Sequence, residues 1–204
     1  MPQTEASLPT REKIVSSAQR LFLQYGFTAV GINRLCHEAG VVKGSFYHFF
    51  PSKDVLLDAV IERNRQELLG KLKAPASESG NGRDQVLAQF ATIMASAAEQ
   101  KLAAGRILGC TIGTLANELA GGNDSVRTAS ADAFRQWQSV LQDAVRAGVE
   151  DGSISQTVDP AATAVCLLAV IQGMSTLGRS FDDAEMLAVI AQTSAKRLLP
   201  VRLY

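Results

Sequence analysis

The chain of 204 residues is 47% hydrophobic but only 6% aromatic, which is enough apolar content for one domain, or two small ones, with a real core. Its 20 basic and 20 acidic residues cancel, so the composition excludes a general binder of polyanions. Three cysteines lie far apart and the N-terminus is polar. These features argue against a disulfide or zinc framework, and they predict a cytoplasmic protein without signal peptide, metal or cofactor.

Helical periodicity runs through almost the whole sequence, and no convincing alternating strand pattern interrupts it. We therefore predict an all-α fold of about nine helices that follows a flexible tail at 1–9. Gly26, Gly40 and Pro51 end the first three helices in turn. The predicted helices lie near 10–25, 31–39, 43–50, 52–73, 84–101, 105–120, 124–150, 160–179 and 183–198.

Two stretches mark the organisation of the later chain. The Ser/Gly/Pro-rich segment at 74–83 is the best internal boundary. The eighth helix carries no charged residue from Pro160 to Gly178, which raises the question of a membrane span. A spanning helix needs about 20 mostly apolar residues, and polar side chains interrupt this run. We therefore expect the helix to lie in a core or between subunits.

The third helix, KGSFYHFF at 43–50, combines aromatic and polar residues. At about 100° per residue, Phe46, Phe49 and Phe50 fall on one face and can anchor the helix. Lysine, histidine, serine and tyrosine donate to phosphates and base edges, and glycine allows close approach. With the preceding short helix and its tight turn, this pattern predicts a helix-turn-helix. The positions of this helix that we expect to be exposed are Lys43, Gly44, Ser45, Tyr47 and His48.

The stretch REKIVSSAQRLFLQYGFTAVGINRLCHEAGVVKGSFYHFFPSKDVLLDAVI at 11–61 strongly resembles the DNA-binding domain of the TetR/AcrR family of transcriptional regulators. GCTIGTLANELA at 109–120 and AGVEDGSISQTVDPAATAVCLLAVIQG at 147–173 resemble the regulatory domains of its AcuR/NemR-like subgroup. The resemblance implies a homodimeric, ligand-controlled repressor that leaves a palindromic operator when a small-molecule inducer binds. It implies a DNA-binding domain at 10–55, joined through helix 52–73, and a ligand-binding and dimerisation domain at 56–204.

Carried over residue by residue, the resemblance assigns two roles in the first domain. The residues that would face DNA are Lys43, Gly44, Ser45, Tyr47, His48 and Lys53, with Lys53 pairing with a phosphate. The residues that would hold the three-helix core are Phe22, Phe27, Ile32, Leu35, Val41, Phe46, Phe49 and Phe50. The sequence departs from the family at the start of the second helix, where Val30 and Gly31 replace the usual capping threonine, and at Val42, where serine or proline is common.

The resemblance also assigns roles in the second domain. The last two helices would pair with those of a second copy to form the dimer interface, although an apolar helix of this kind can also be plain core. The candidate interface residues are Ala164, Leu168, Ile171, Met174 and Ser175. The candidate pocket residues, each of which can equally be core, are Phe90, Met94, Leu108, Ile112, Leu115, Trp137, Leu141 and Met174.

Cys110 has two readings. In NemR-like regulators a cysteine in this region senses electrophiles or oxidants, and Arg106, one predicted helical turn earlier, would favour the thiolate. A buried cysteine is otherwise usually a small inert hydrophobe. We expect Cys36 and Cys166 to be structural.

Two other classes of function compete with a repressor. An enzyme is disfavoured because the sequence shows no catalytic Ser/His/Asp set, no phosphate loop and no metal spacing, and both histidines lie before residue 50. A helical adaptor that binds another protein through the aromatic stretch remains an alternative at this stage.

Overall fold

The computed structural model describes residues 9–78 and 80–201, and the side chains of 73–78 are outside that description. The predicted tail at 1–9 lies almost entirely outside the described residues. Within them the regular structure is helical, without a strand, which confirms the predicted all-α class. The nine helices are α1 (Thr10–Tyr25), α2 (Ile32–Ala39), α3 (Lys43–Phe49), α4 (Lys53–Glu78), α5 (Gly82–Ala104), α6 (Thr111–Leu119), α7 (Asp124–Asp151), α8 (Pro160–Phe181) and α9 (Ala184–Leu198).

The sixth helix begins later than the sequence predicts, at Thr111 instead of about 105. Gly105 ends α5 in the left-handed conformation, with φ 73°, and polar side chains then hold the connection to α6 as a loop. The side chain of Gln100 accepts from the backbone amides of Leu108 at 2.8 Å and Gly109 at 2.9 Å. Asp182 accepts from the amide of Ile107 at 2.8 Å. These side chains satisfy backbone groups that a continuous helix would otherwise pair.

The chain divides into two compact units that differ from the predicted domains. Within the described residues, the first unit comprises 9–66 and 111–131, and the second comprises 67–110 and 132–201. The first division falls after Gln66, further along α4 than the predicted boundary at 55. In addition, α6 joins the N-terminal helices because Leu115 and Leu119 pack into their core.

The first unit has an aromatic core built by the three short helices and the start of α4. Phe22 and Phe46 are fully buried, and Phe22 meets Phe27 edge-on with 5.2 Å between ring centroids. The turn between α2 and α3 is made by Gly40, whose φ of 63° and ψ of 36° are left-handed. Its amide donates to the last carbonyls of α2, so α2 and α3 form the predicted helix-turn-helix.

The second unit has a core that is mostly aliphatic, with Trp137 and Phe90 as its buried aromatic residues. Trp137 and Leu141 on α7 pack with Ile171 on α8 and Leu187 on α9, all of them at most 2% exposed. Asp159 caps α8, because its side chain accepts from the amides of Ala161 and Ala162. These contacts hold α8 and α9 side by side at the C-terminal end of the chain.

The α8 helix is long and apolar enough to cross a membrane by length and composition, and it is the one such helix among the described residues. Only 28% of its most apolar 18-residue window is buried. Core and interface helices of soluble proteins pass the same test, and α8 packs against α5 and α9. Within a single chain, α8 therefore leaves an apolar face uncovered.

Candidate functional site

The third helix presents the polar face that the sequence predicts. Phe46 is fully buried and Phe50, its C-terminal cap, is 2% exposed, so both hold α3 against the core. Tyr47 is 49% exposed, and its ring meets Phe46 edge-on at 5.4 Å. Lys43, Gly44 and His48 are also exposed, whereas Ser45 is half-buried. We define the reading face as these five residues, Lys43, Gly44, Ser45, Tyr47 and His48.

Phe49 corrects one prediction, because it does not join the core. Its side chain is 38% exposed and lies edge-on to His48, with 4.8 Å between ring centroids. Phe49 is the last residue of α3, where the chain already turns towards Pro51, and the side chain therefore leaves the buried stripe. Ile32 and Val41, also predicted as core, pack against the core of the first unit but are only partly buried.

Lys53 makes contacts within the chain that the phosphate prediction did not include. Its Nζ donates to the backbone carbonyls of Phe27 at 3.0 Å and Val30 at 3.1 Å. The ammonium also lies 4.0 Å from the centroid of the Phe27 ring, a cation–π distance. An ammonium has three N–H donors, so these contacts leave one N–H of Lys53 for a phosphate.

Glu118 on α6 contacts the same connection between α1 and α2, a contact that the sequence analysis did not predict. One carboxylate oxygen accepts from the amide of Phe27 at 2.8 Å, and the other accepts from the amide of Thr28 at 2.7 Å. Partial burial raises the pKa of Glu118, but hydrogen bonds from Thr28 and Phe27 and the charge of Lys53 outweigh it and lower the pKa overall. Glu118 is separated from Phe27 by 91 residues, which no local pattern can reveal.

The predicted pocket residues do not all gather in one cluster. Phe90, Trp137, Leu141 and Met174 are buried together in the second unit, with Met94 partly buried against them. Leu115 instead lies in the core of the first unit, because the apolar side of α6 faces that core. Ile112 is on the same helix, and Leu108 lies in the preceding loop.

The predicted interface lies on α8, but three of its five residues point inward. Ala164, Ile171 and Met174 are at most 1% exposed within a single chain, so a second copy has nothing of them left to cover. Leu168 and Ser175 are half-buried. The exposed positions of α8 lie mostly on the other side of the helix. They are Ala161, Ala162, Val165, Cys166, Ala169, Thr176, Leu177, Arg179, Ser180 and Phe181.

The three cysteines occupy different environments. Cys36 is buried, and burial raises the pKa of its thiol against the opposing charge of Lys43. Cys166 is exposed on α8 and Cys110 is half-buried. Arg106 and Cys110 lie in the loop between α5 and α6, so the predicted spacing of one helical turn between them does not hold. No group of metal-ligating side chains occurs in the part of the chain that the structure describes.

Comparison with known proteins agrees with this arrangement over nearly the whole chain. The family described as "Bacterial regulatory proteins, tetR family" matches residues 14–60, and the one described as "Tetracyclin repressor-like, C-terminal domain" matches residues 82–194. The transcriptional repressor NemR of Escherichia coli K12 is 32% identical over 183 residues, which are 86% of this chain and 88% of NemR. The repressor DhaR of Mycobacterium sp. strain GP1 is 29% identical, over 82% of this chain and 81% of DhaR.

Solved structures show the same fold. The crystal structure of reduced Escherichia coli NemR superposes with a TM-score of 0.80 at 28% identity, covering 96% of this chain and 100% of that one. A regulator from Chloroflexus aurantiacus superposes with a TM-score of 0.84 at 24% identity, covering 96% and 97%. NemR and DhaR are both named as transcriptional repressors. With both halves matched and the helix-turn-helix in place, the chain belongs to the TetR family of bacterial transcriptional regulators.

Proposed function

We propose that this regulator is a homodimeric repressor that binds a palindromic DNA operator in the cytoplasm and leaves it when a small molecule binds. The observation that carries the proposal is the reading face on α3. It exposes Lys43, Tyr47 and His48 on a helix that Phe46 and Phe50 fix to the core. Exposed donors on a rigid helix after a tight turn are what major-groove recognition requires.

The uncovered face of α8 supports the dimer. Val165, 52% exposed, and Ala169 lie on one face of the helix, and Val189 on α9 is 62% exposed. A second copy of the chain would cover these apolar side chains from water. The small side chains of Ala162 and Ala169 would let two α8 helices approach closely. A two-fold dimer also supplies the two reading faces, about 34 Å apart, that a palindromic site needs.

A buried amide in the second unit supports a small-molecule effector and suggests its chemistry. Gln89 is fully buried, and its Oε1 accepts from the indole N–H of Trp137 at 3.2 Å. The indole can only donate, so this bond fixes which way the amide points. The Nε2 of Gln89 then has no hydrogen-bond partner among the described residues. An effector with an acceptor oxygen would satisfy it within this apolar cluster.

The experiment that tests the proposal is selection of fragments from genomic DNA by the purified protein, followed by footprinting and affinity measurement. We expect a roughly palindromic site, and we expect Tyr47→Ala to weaken its binding on the order of tenfold. Ser139→Ala, an exposed change on α7, is the matched control. The absence of any selected fragment, or equal affinity of the Tyr47→Ala protein, would overturn the proposed reading face.

The second arm of that experiment concerns release. Small molecules that raise the melting temperature of the protein are added to the protein–DNA complex, because a ligand that binds one state selectively stabilises it. We expect those that release DNA to carry a carbonyl or other acceptor oxygen, and Gln89→Leu to reduce their effect.

A further inference from the structure

The sequence leaves α2 without the usual cap at its start. Gly31 is the N-cap residue and makes no side-chain hydrogen bond to the helix. The position of α2 decides where α3 points, because the two helices pack together through the Gly40 turn. A reading face that must meet DNA in one orientation therefore needs another restraint before α2.

The connection between α1 and α2, residues 26–31, is held on two sides. Glu118 binds its amides at Phe27 and Thr28, and Lys53 binds its carbonyls at Phe27 and Val30. Each of the two side chains makes two hydrogen bonds, and each is charged, which makes the bonds stronger than those between neutral groups. Together they fix a short turn whose own backbone supplies one hydrogen bond, from Val30 N to Phe27 O at 3.2 Å.

The first residue of this connection, Gly26, leaves room for the carboxylate of Glu118. Gly26 has a φ of +84°, and a Cβ at this position would lie 2.8 Å from Oε2 of Glu118. Any other residue would strain the backbone and push the carboxylate away. Glu118 also stands in the last turn of α6, where the helix dipole disfavours a negative charge. The contacts with the turn offset that disadvantage.

We infer that Glu118 is a positioning residue for DNA binding: its carboxylate ties α6 to the turn before α2 and so replaces the missing cap in orienting the reading face. The inference rests on the proposed function, because it assumes that α3 reads DNA. Glu118 itself lies on α6 and belongs to neither the reading face nor the connection that it holds.

The test compares Glu118→Gln with Glu150→Gln on the full-length protein, using the genomic fragment that the wild-type protein selects and a random-sequence duplex of equal length. Both variants remove one negative charge, and Glu150 is an exposed residue of α7. Loss of a negative charge strengthens non-specific binding to DNA through simple electrostatics. We nevertheless expect Glu118→Gln to bind the selected fragment on the order of tenfold more weakly, with affinity for the random duplex kept or raised. Glu150→Gln should not lose affinity for either.

Amide hydrogen exchange supplies the readout of the turn itself. In Glu118→Gln the amides of Phe27 and Thr28 should exchange faster, while those in the middle of α1 keep their wild-type rates. Gly26→Ala provides an independent route to the same effect, and its loss of specific affinity should be smaller in a Glu118→Ala background, where the clash is absent.

Three results would overturn the inference. One is wild-type affinity of Glu118→Gln for the selected fragment. Another is a parallel fall in affinity for both duplexes with a matching loss of folded protein, which would make Glu118 merely structural. If the wild-type protein selects no DNA, the proposed function fails and this inference fails with it, and that result is distinguishable because it appears before any variant is made.

Discussion

The two units of the chain handle polar groups in different ways. The first unit exposes donors on α3 and uses charged side chains, Glu118 and Lys53, to hold a backbone turn. The second unit is mostly aliphatic around Trp137 and Phe90, and it exposes apolar side chains along α8. Among the described residues, the buried amide nitrogens of Gln89 and Gln172 in this unit have no hydrogen-bond partner. A surface of donors suits a charged polymer and a surface of small apolar residues suits another protein. The difference is the one that the proposed function requires, with one part for reading DNA and another for association and response.

The largest expected effect is on the aromatic core of the first unit. Phe46→Ala removes a fully buried ring and should lower the free energy of unfolding by about 3–5 kcal/mol. Phe49→Ala, two residues before the next helix-breaking proline, removes a ring that is 38% exposed and should cost about 1 kcal/mol. Urea denaturation followed by circular dichroism measures both. Equal losses would contradict the inward and outward assignment of the two rings.

The same pair shows what a sequence can predict. The 3.6-residue period placed Phe46 and Phe50 correctly, because their burial depends on neighbours within a short distance along the chain. It failed for Phe49 because the helix ends there. On α8 the sequence predicted an apolar helix in a core or between subunits, but it did not show that Ala164, Ile171 and Met174 are buried within a single chain. Which side of α8 faces inward depends on its packing against α5 and α9. The hydrogen bond between Glu118 and Phe27 joins residues 91 positions apart, so a local pattern does not predict it.

The next effect concerns the apolar face of α8. Ala169→Glu places a charge at the centre of the exposed face, and burying an unpaired carboxylate costs several kcal/mol. We expect the dimer dissociation constant to rise at least about 100-fold, with DNA affinity falling in parallel. Sedimentation at several protein concentrations measures the first quantity.

Ser139→Glu is the matched control for that prediction, because it introduces the same charge at an exposed position of α7. It should leave the dimer intact. A dimer that survives Ala169→Glu but not Ser139→Glu would move the interface from α8 to α7.

The smallest expected effect is on how the stability of the fold depends on pH. It concerns two carboxylates, Asp182 in the second unit and Glu118 in the first. The pKa of Asp182 is lowered, chiefly by the hydrogen bond from the amide of Ile107. Desolvation raises this pKa, but the nearby charges of Lys101 and Arg106 lower it further. The pKa of Glu118 is lowered as well. A carboxyl group with a lower pKa in the folded state stabilises the fold above its unfolded pKa of about 4, and this contribution is lost as pH falls through the folded pKa.

Asp182→Asn keeps the oxygen that accepts from Ile107 but cannot titrate. Its urea midpoint should therefore fall less than that of the wild-type protein between pH 7 and about pH 3.5. Solvent screens Asp182, whose side chain is 40% exposed, so the difference should be small. Glu118→Gln should show the same weaker dependence of the urea midpoint on pH, and the amide of Thr28 should exchange faster. Asp182→Asn should leave the exchange of the Thr28 amide unchanged, because Asp182 and Glu118 lie in different units. A parallel pH dependence in variant and wild type would show that neither carboxylate contributes to stability through its charge.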